Sequence, residues 1–289
     1  MTLLIRELER IDTRVLGALR CIDAATRAQV DTPLDVRIEG ATVRRNRSGL
    51  YVIVRAEALP ALPELPGLAA LAAHEAAFDN PPATPAVGEV TLALTVTDPA
   101  GRYLPRRAAV ALPRDPQPGH AASPDSLFRP VELPLYPSAI APTGMNWSVL
   151  RLSVHETGSL DALGGALLLA RAGGKVLARA LTDWRGEALL PVPGVPVTTW
   201  SDDPDEVVVT ELAARIEWCF DAAAGAGGTR TPAAQVRAGR VPSVLPLVDP
   251  DELESRAAAL PVATVPMATL DVALAAGRSQ SFSLPLALP

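Results

Sequence analysis

The chain has 289 residues, 48% of them hydrophobic and 20% charged, and this composition excludes a fully disordered protein. It contains 29 prolines, roughly twice the usual share. Because a proline inside a helix costs about 3 kcal/mol, this proline content argues against a helical bundle. The formal net charge of −6 gives no overall attraction to nucleic acid or to anionic lipid.

Several features of the sequence indicate a compartment. Residues 1–10 carry acidic charge and lack the apolar core of a signal peptide. The most apolar run, Leu163–Ala170, is far shorter than the ~20 residues of a membrane helix. Lys175 is the only lysine, and the excess of arginine, alanine and proline indicates a GC-rich bacterial genome. We therefore expect a cytoplasmic bacterial protein without a transmembrane segment, in which Cys21 and Cys219 are buried thiols.

The first half of the chain carries strand patterns. Leu34–Ile38 and Glu89–Thr97 alternate apolar and polar residues, which predicts half-buried strands. Leu50–Val54 is rich in β-branched residues, and Ala108–Leu112 is the return strand of a hairpin. Residues 59–82 are rich in proline and alanine and predict an insertion that contains a short helix.

The second half repeats the strand pattern. It predicts strands at 147–154, 165–170, 176–181, 187–192, 206–210 and 213–220. Asp249 before Pro250 predicts a capped short helix. Two alternating runs, Ala268–Ala273 and Phe282–Leu288, close the chain, and Pro285 places the last one at a sheet edge. That strand could dock on its own chain or on a neighbour.

Short strands at this spacing predict an all-β fold with two Ig-like β-sandwich domains in tandem and short helical insertions. Gly49 and Gly186 each precede a strand, and we expect both to need a positive φ. The predicted division of the chain follows its composition: a first sandwich at 1–113, a linker at 114–129, a second sandwich at 130–220, and at 221–289 a C-terminal extension with a short helix and terminal edge strands.

The turn that ends at Gly186 carries a family resemblance. Thr182–Val192 is a polar turn followed by an alternating strand, and Arg47–Val52 repeats this order more loosely. Both segments resemble the transthyretin-like modules that occur as carboxypeptidase regulatory domains. The resemblance implies sandwich modules without catalytic activity.

Motifs for catalysis or metal binding are missing from the sequence. His74, His120 and His155 lie far apart, without the spacing of a zinc site, and the sequence contains no nucleophile elbow, dinucleotide fingerprint or P-loop. We predict no catalytic residue, no cofactor and no metal. The acidic segment 202–206 could hold calcium, but it lacks the spacing of a calcium loop, so we interpret it as a solvated turn.

Candidate interface residues fall into three groups. Trp184 lies in a turn and Trp200 lies before the acidic segment, where exposed aromatic residues would mark an interface. A basic cluster forms the second group, and the apolar residues of the last strand form the third. The members of these two groups are Arg102, Arg106, Arg107, Phe282, Leu284 and Leu286.

These features favour a non-enzymatic assembly protein that acts through edge strands and domain surfaces. In overall character the chain resembles accessory structural proteins of phage tails and contractile injection systems. That resemblance implies other subunits or a second copy as partners. The charge and the lack of a long apolar run lead us to expect neither nucleic acid nor a membrane as a partner. Two alternatives remain open: a glycan- or peptide-binding module that uses Trp184 or Trp200, and an enzyme that uses His155 with Glu156, or Asp183.

Overall fold

A computed structural model describes residues 14–56, 67–77, 85–196, 199–200, 207–208, 211–223 and 225–289. The protein is mostly β, with 43% strand and 11% helix arranged around several sheets. This confirms the prediction of a β-rich chain. The predicted insertion at 59–82 lies partly outside the described residues, and its described part contains one helix.

The strands are short and the helices few within the described ranges. The strands are β1 Gly17–Asp23, β2 Asp35–Ile38, β3 Ala41–Arg45, β4 Tyr51–Ala56, β5 Val90–Thr97, β6 Arg106–Leu112, β7 Val131–Leu135, β8 Ser148–Glu156, β9 Ala162–Gly164, β10 Leu167–Ala172, β11 Lys175–Leu181, β12 Glu187–Val192, β13 Thr199–Trp200, β14 Val207–Val208, β15 Leu212–Cys219, β16 Thr229–Thr231, β17 Met267–Leu274 and β18 Ser279–Leu286. The helices are α1 Leu68–Ala76, α2 Ala233–Arg237 and α3 Pro250–Ala259, with one 3-10 turn at Pro118–His120.

Most predicted strands are present in the structure. β3 was not predicted from the sequence, and the reason is its exposure. β3 has no fully buried side chain, so its sequence lacks the alternation that reveals a strand. The backbone ladder with β4 forms it, from Ala41 opposite Ala56 to Arg45 opposite Tyr51. The predicted strand at 206–210 is described only at Val207–Val208, and its other residues lie outside the described ranges.

The chain divides into two compact units, and neither is a single stretch of sequence. Unit 1 comprises 1–20, 37–92 and 110–131, and unit 2 comprises 21–36, 93–109 and 132–289. The division therefore differs from the consecutive domains expected from composition. Residues 114–129, expected to be a linker, belong to unit 1. The carbonyl of Asp125 accepts a hydrogen bond from the Asp115 amide, and Ser126 is fully buried, so local bonding orders this proline-rich segment.

The seven-stranded sheet has the strand order β6-β5-β2-β3-β4-β1-β7. In unit 1, Gly17–Leu19 of β1 lie opposite Tyr51–Ile53 of β4. Leu19, Ile53 and Leu92 are buried there, together with Leu71 of α1. The alternating pattern of β5 therefore buries one face of the strand, as its sequence predicts.

Unit 2 contains two further sheets that share one apolar core. The four-stranded sheet has the order β11-β10-β15-β17, and the five-stranded sheet has the order β12-β8-β9-β16 with β18 paired to β8. Buried side chains from both sheets form a single cluster, which includes Leu152, Leu168, Leu190, Ile216 and Trp218. The two sheets therefore pack face to face, as in a β-sandwich.

A second cluster covers the outer face of the four-stranded sheet. Leu253 of α3 packs with Leu169, Cys219 and Val265, all of them buried. Asp249 caps α3 by accepting hydrogen bonds from the backbone amides of the second and third helical residues, as its sequence predicts. The extension at 221–289 is thus an integral part of unit 2.

Gly186 shows why the turn before β12 requires glycine. Its φ is +74° and that of Gly49 is +77°, so both residues adopt the predicted left-handed conformation. A Cβ atom at Gly186 would overlap the carbonyl oxygen of Val154 on β8. Two constraints, one conformational and one steric, therefore act on the same residue.

Gly186→Ala should lower the free energy of unfolding by about 2–5 kcal/mol, because backbone strain and steric overlap add. Gly173→Ala is the matched control, since Gly173 has a φ of +55° but a Cβ atom there would meet no other atom within 4 Å. It should cost only the backbone strain of about 1–2 kcal/mol. Urea denaturation measures both, and equal losses would contradict the role of the Val154 contact.

The C-terminal strand β18 docks on its own chain. It runs parallel to β8, with Ser279 opposite Val149 and Leu286 opposite Glu156. Leu284 and Leu286 point into the shared core and are 1% and 2% exposed. Both leucines therefore stabilise unit 2 and are not available to a partner while β18 stays in place.

Leu284→Ala should lower the free energy of unfolding by about 2–5 kcal/mol, because it removes a fully buried side chain. Ser283→Ala on the exposed side of the same strand should change it by no more than about 0.5 kcal/mol. Thermal and urea denaturation of the purified full chain measure both variants. An unaffected Leu284→Ala protein would show that β18 does not complete this core.

Candidate interaction site

One apolar pocket in unit 2 brings a predicted interface residue together with distant parts of the chain. Its cavity volume is about 70 Å³. We call it the Trp184 pocket. It is lined by Leu104, Pro105, Gly165, Leu181, Thr182, Asp183, Trp184, Leu245, Pro246 and Val248.

Two adjacent glycines allow the walls of the pocket to approach each other. A Cβ atom at Gly165 would overlap Val248, and one at Gly164 would lie 2.6 Å from Oγ1 of Thr229. Larger residues at these positions would push the segment around Val248 away from the turn that carries Trp184. Gly164 and Gly165 therefore set the width of the pocket.

The turn that carries Trp184 is held by its own polar residues. Oδ1 of Asp183 accepts hydrogen bonds from the backbone amides of Arg185 and Glu187. The Arg185 guanidinium contacts Asp183 at 2.9 Å and Glu187 at 3.0 Å, and it lies 5.8 Å from the centre of the Trp184 ring. This network fixes the position of the half-buried indole at the pocket.

The segment beside the pocket exposes large apolar side chains. Val241 is 64% exposed, Val244 68% and Leu245 47%. Of these three residues only Leu245 lines the pocket, and Ile140 and Met145, which are also highly exposed, do not line it. Exposed apolar side chains at a pocket are typical of a protein-binding site.

The predicted basic cluster separates into three different environments. Arg106 was predicted to be an interface residue, and this is wrong because its side chain is fully buried. Its guanidinium donates to the carbonyls of Pro134 and Arg107 and to the carboxylate of Asp251. It also lies 5.7 Å from the centre of the Tyr136 ring. Loss of this guanidinium would leave its partners without a donor, so Arg106 has a structural role.

The other two arginines of the cluster reach the surface. Arg102 is partly exposed and contacts Thr32 and Asp98. Arg107 is also partly exposed, and its guanidinium donates to the carbonyl of Gly225. Its backbone amide donates to the carbonyl of Val248 at 2.8 Å, which places Arg107 beside the Trp184 pocket.

The remaining predicted interface residues do not join this site. Phe282 packs partly against the shared core, with Leu284 and Leu286 fully inside it. The side chain of Trp200 and the acidic segment 202–206 lie outside the described residues. The interpretation of that segment as a solvated turn stays a prediction. Trp218 is buried, with 4% of its surface exposed.

The residues of the enzyme alternative have polar partners within the fold, and Glu156 contacts Arg230. Nδ1 of His155 lies 3.5 Å from Oγ of Ser283 on the neighbouring strand, while Asp183 is bound to Arg185. Burial raises the pKa of the Cys21 and Cys219 thiols to about 12, which keeps them protonated near neutral pH. No group of three or more potential metal ligands is found within the described parts of the chain.

Comparison with known proteins identifies no relative of this chain. No family model matches the sequence, and neither a curated protein nor a solved structure is significantly similar to it. Among the helices that the structure describes, none combines the length and the apolar character required to cross a membrane.

Arg106→Met should lower the free energy of unfolding by about 1–3 kcal/mol, because it removes a buried guanidinium and leaves the carbonyls of Pro134 and Arg107 without their donor. Arg107→Met removes a neighbouring guanidinium that is partly exposed, and it should change stability by no more than about 0.5 kcal/mol. Chemical denaturation of the two variants side by side tests the assignment. Equal effects would contradict the structural role of Arg106.

Proposed function

We propose that the protein is a non-enzymatic assembly component of a bacterial multi-subunit particle, of the phage-tail-like or contractile injection type. It binds another protein subunit through the Trp184 pocket and the exposed segment around Val244. The observation that carries this proposal is the exposed side chain of Leu245 in the wall of the apolar pocket, next in sequence to the exposed Val244. Such surface is costly in water unless a partner covers it.

The two sheets of unit 2 support a transthyretin-like, Ig-like assignment for this part of the chain. They pack face to face around one core, and the turn at Gly186 has the polar residues and glycine that suggested the family. Modules of this architecture present their turns at the two ends of the sandwich. The Trp184 turn occupies such an end, because it connects β11 to β12.

A peptide- or glycan-binding module is the second candidate. Trp184 favours it, since an indole beside a pocket can stack on a sugar ring or an apolar side chain. Of the described residues that line the pocket, Trp184 is the only aromatic one. The apolar character of the other walls therefore favours a protein partner over a glycan.

The experiment compares particle association in a source bacterium. Lysates are separated on a density gradient, and the tagged protein is located by immunoblot. The wild-type protein should sediment with a large particle. Val244→Asp with Leu245→Asp should reduce this fraction by about tenfold, because both changes place a charge in the contact surface. Both residues are exposed, so the variant should remain folded.

Val262→Asp is the matched control, because Val262 is 60% exposed and does not line the pocket. It should sediment like the wild-type protein. Wild-type protein found only at the position of the free chain would contradict the assembly role. A double variant that still enters the particle would show that Val244 and Leu245 beside the Trp184 pocket are not needed for assembly.

A further inference from the structure

The last strand of the chain, β18, forms one edge of the five-stranded sheet. β8 pairs with β12 along one side and with β18 along the other, and β18 has no second ladder partner among the described residues. The amides of Val149 and Thr157 donate to the carbonyls of Arg278 and Leu286, both at 2.9 Å. Because hydrogen bonding alternates along a parallel strand, every second residue between Arg278 and Leu286 bonds to β8.

The intervening residues direct their backbone groups away from β8, and we call this side of β18 the open edge. These residues are Ser279, Ser281, Ser283 and Pro285, and all four are exposed. Proline has no amide hydrogen, so the donor that Pro285 lacks is one that would face the open edge. The amides and carbonyls of the three serines make no backbone hydrogen bond within the described parts of the chain.

The open edge of β18 lacks the charges found on the other end strands of these two sheets. The described strands β11, β12, β16 and β17 contain, in this order, Lys175, Glu187, Arg230 and Asp271. β18 contains no charged residue. Charged residues on an edge strand oppose pairing with another chain, and like charges directly opposite each other destabilise a strand pair. A second copy of β18 therefore meets no electrostatic repulsion from β18 itself.

Apolar side chains beside the open edge are only partly covered. β17 is an end strand of the four-stranded sheet, and Nε2 of Gln280 on β18 donates to the carbonyl of Ala273 on β17 at 2.9 Å. The two strands thus lie on the same side of the sandwich. Leu270, Val272 and Phe282 pack against the core there but are only partly buried. A strand added to β18 would remove part of this apolar surface from water.

We infer that two copies of the chain form a dimer through the open edges of their β18 strands, which pair antiparallel with Ser281 of one copy opposite Ser281 of the other. Ser279 of each copy then lies opposite Ser283 of the second copy. In this register every outward amide and carbonyl of the three serines forms a hydrogen bond across the dimer. The partner is therefore a second copy of the same strand, because the open edge is complementary to itself.

The ends of the open edge determine this register. Pro285 lies opposite Gly277 of the second copy, and the Gly277 amide already donates to the carbonyl of Trp147 in its own chain. Neither residue has an amide available, so the ladder ends at this pair. A shift of two residues in either direction would place a serine opposite Pro285 or Gly277 and leave its carbonyl without a donor.

The same register brings the two Phe282 side chains together. Phe282 lies on the core side of β18, and it is opposite Gln280 of the second copy. The two phenylalanines are then diagonal neighbours, at about 7–8 Å, within reach of each other's rings. A two-fold contact of this kind closes at two copies. None of these residues lines the Trp184 pocket, so the inference does not depend on the proposed function.

The first experiment measures dimer formation by the purified full chain. Sedimentation velocity through the micromolar concentration range should show wild-type protein passing from monomer to dimer and no further. Ser281→Pro removes an amide that the ladder with β8 does not use. It should weaken dimer formation by about tenfold or more, because two hydrogen bonds between the copies are lost. Ser281→Ala keeps the amide and is the matched control, which should dimerise like the wild-type protein.

A second pair of variants changes the same position without altering the backbone, and circular dichroism checks the folding of all variants. Ser281→Lys alone and Ser281→Glu alone should each be monomeric, because like charges would meet at the two-fold axis. An equal mixture of the two should form a dimer. This result separates pairing at Ser281 from a general effect of substitution on β18.

Cysteine variants test the register. Opposed residues of a hydrogen-bonded antiparallel pair have Cα atoms about 5.5 Å apart, a distance that a disulfide can span. With oxidised glutathione, Ser281→Cys should form a disulfide-linked dimer. Ser279→Cys and Ser283→Cys should each stay unlinked alone and form a linked dimer when they are mixed. The wild-type chain is the control, since Cys21 and Cys219 are buried.

A wild-type chain that stays monomeric throughout the concentration series would overturn the inference, as would growth beyond the dimer. The same holds if folded Ser281→Pro and Ser281→Lys proteins dimerise as strongly as the wild-type protein, or if Ser279→Cys links to itself more readily than to Ser283→Cys. A monomeric wild-type chain that still enters the particle in the cell would refute the dimer and leave the proposed function intact. A dimer without any particle would have the opposite meaning.

Discussion

The apolar core between the four-stranded and five-stranded sheets is the interaction on which unit 2 depends. It joins strands that are far apart in the sequence, from β8 to the C-terminal β18. Burial of these side chains holds the two sheets against each other. Because Leu284 and Leu286 belong to this core, the last strand is part of the fold and its leucines cannot serve as a free docking segment.

The geometry of the Trp184 pocket follows from the same core. The core fixes β11 and β12, and the turn between them then carries Trp184 to the end of the sandwich. Gly186 allows this turn to lie against Val154, and Gly164 with Gly165 allows the opposite wall to approach. The pocket thus depends on three glycines whose role is steric, beside one indole held by Asp183 and Arg185.

Charge is distributed unevenly over this framework. Arg106 uses its charge inside the protein, where two carbonyls and Asp251 satisfy it, while its neighbour Arg107 reaches the surface. Alternation along β6 explains the difference, because adjacent residues of a strand point to opposite faces. Adjacent arginines of this cluster therefore have different roles, one in the interior and one at the surface. The number of charges in the sequence does not show which arginine has which role.

Local pattern in the sequence was sufficient for most strands, for the capped helix α3 and for the positive φ of Gly49 and Gly186, since short-range sterics and alternation determine these features. It also singled out Trp184. Only the tertiary structure decided that the chain divides into two interrupted units, that residues 114–129 fold into one of them, and that β18 docks on β8. The pocket likewise depends on Leu104 and Leu245 meeting the Trp184 turn. Contacts between distant segments arise from shared burial, which no local periodicity encodes.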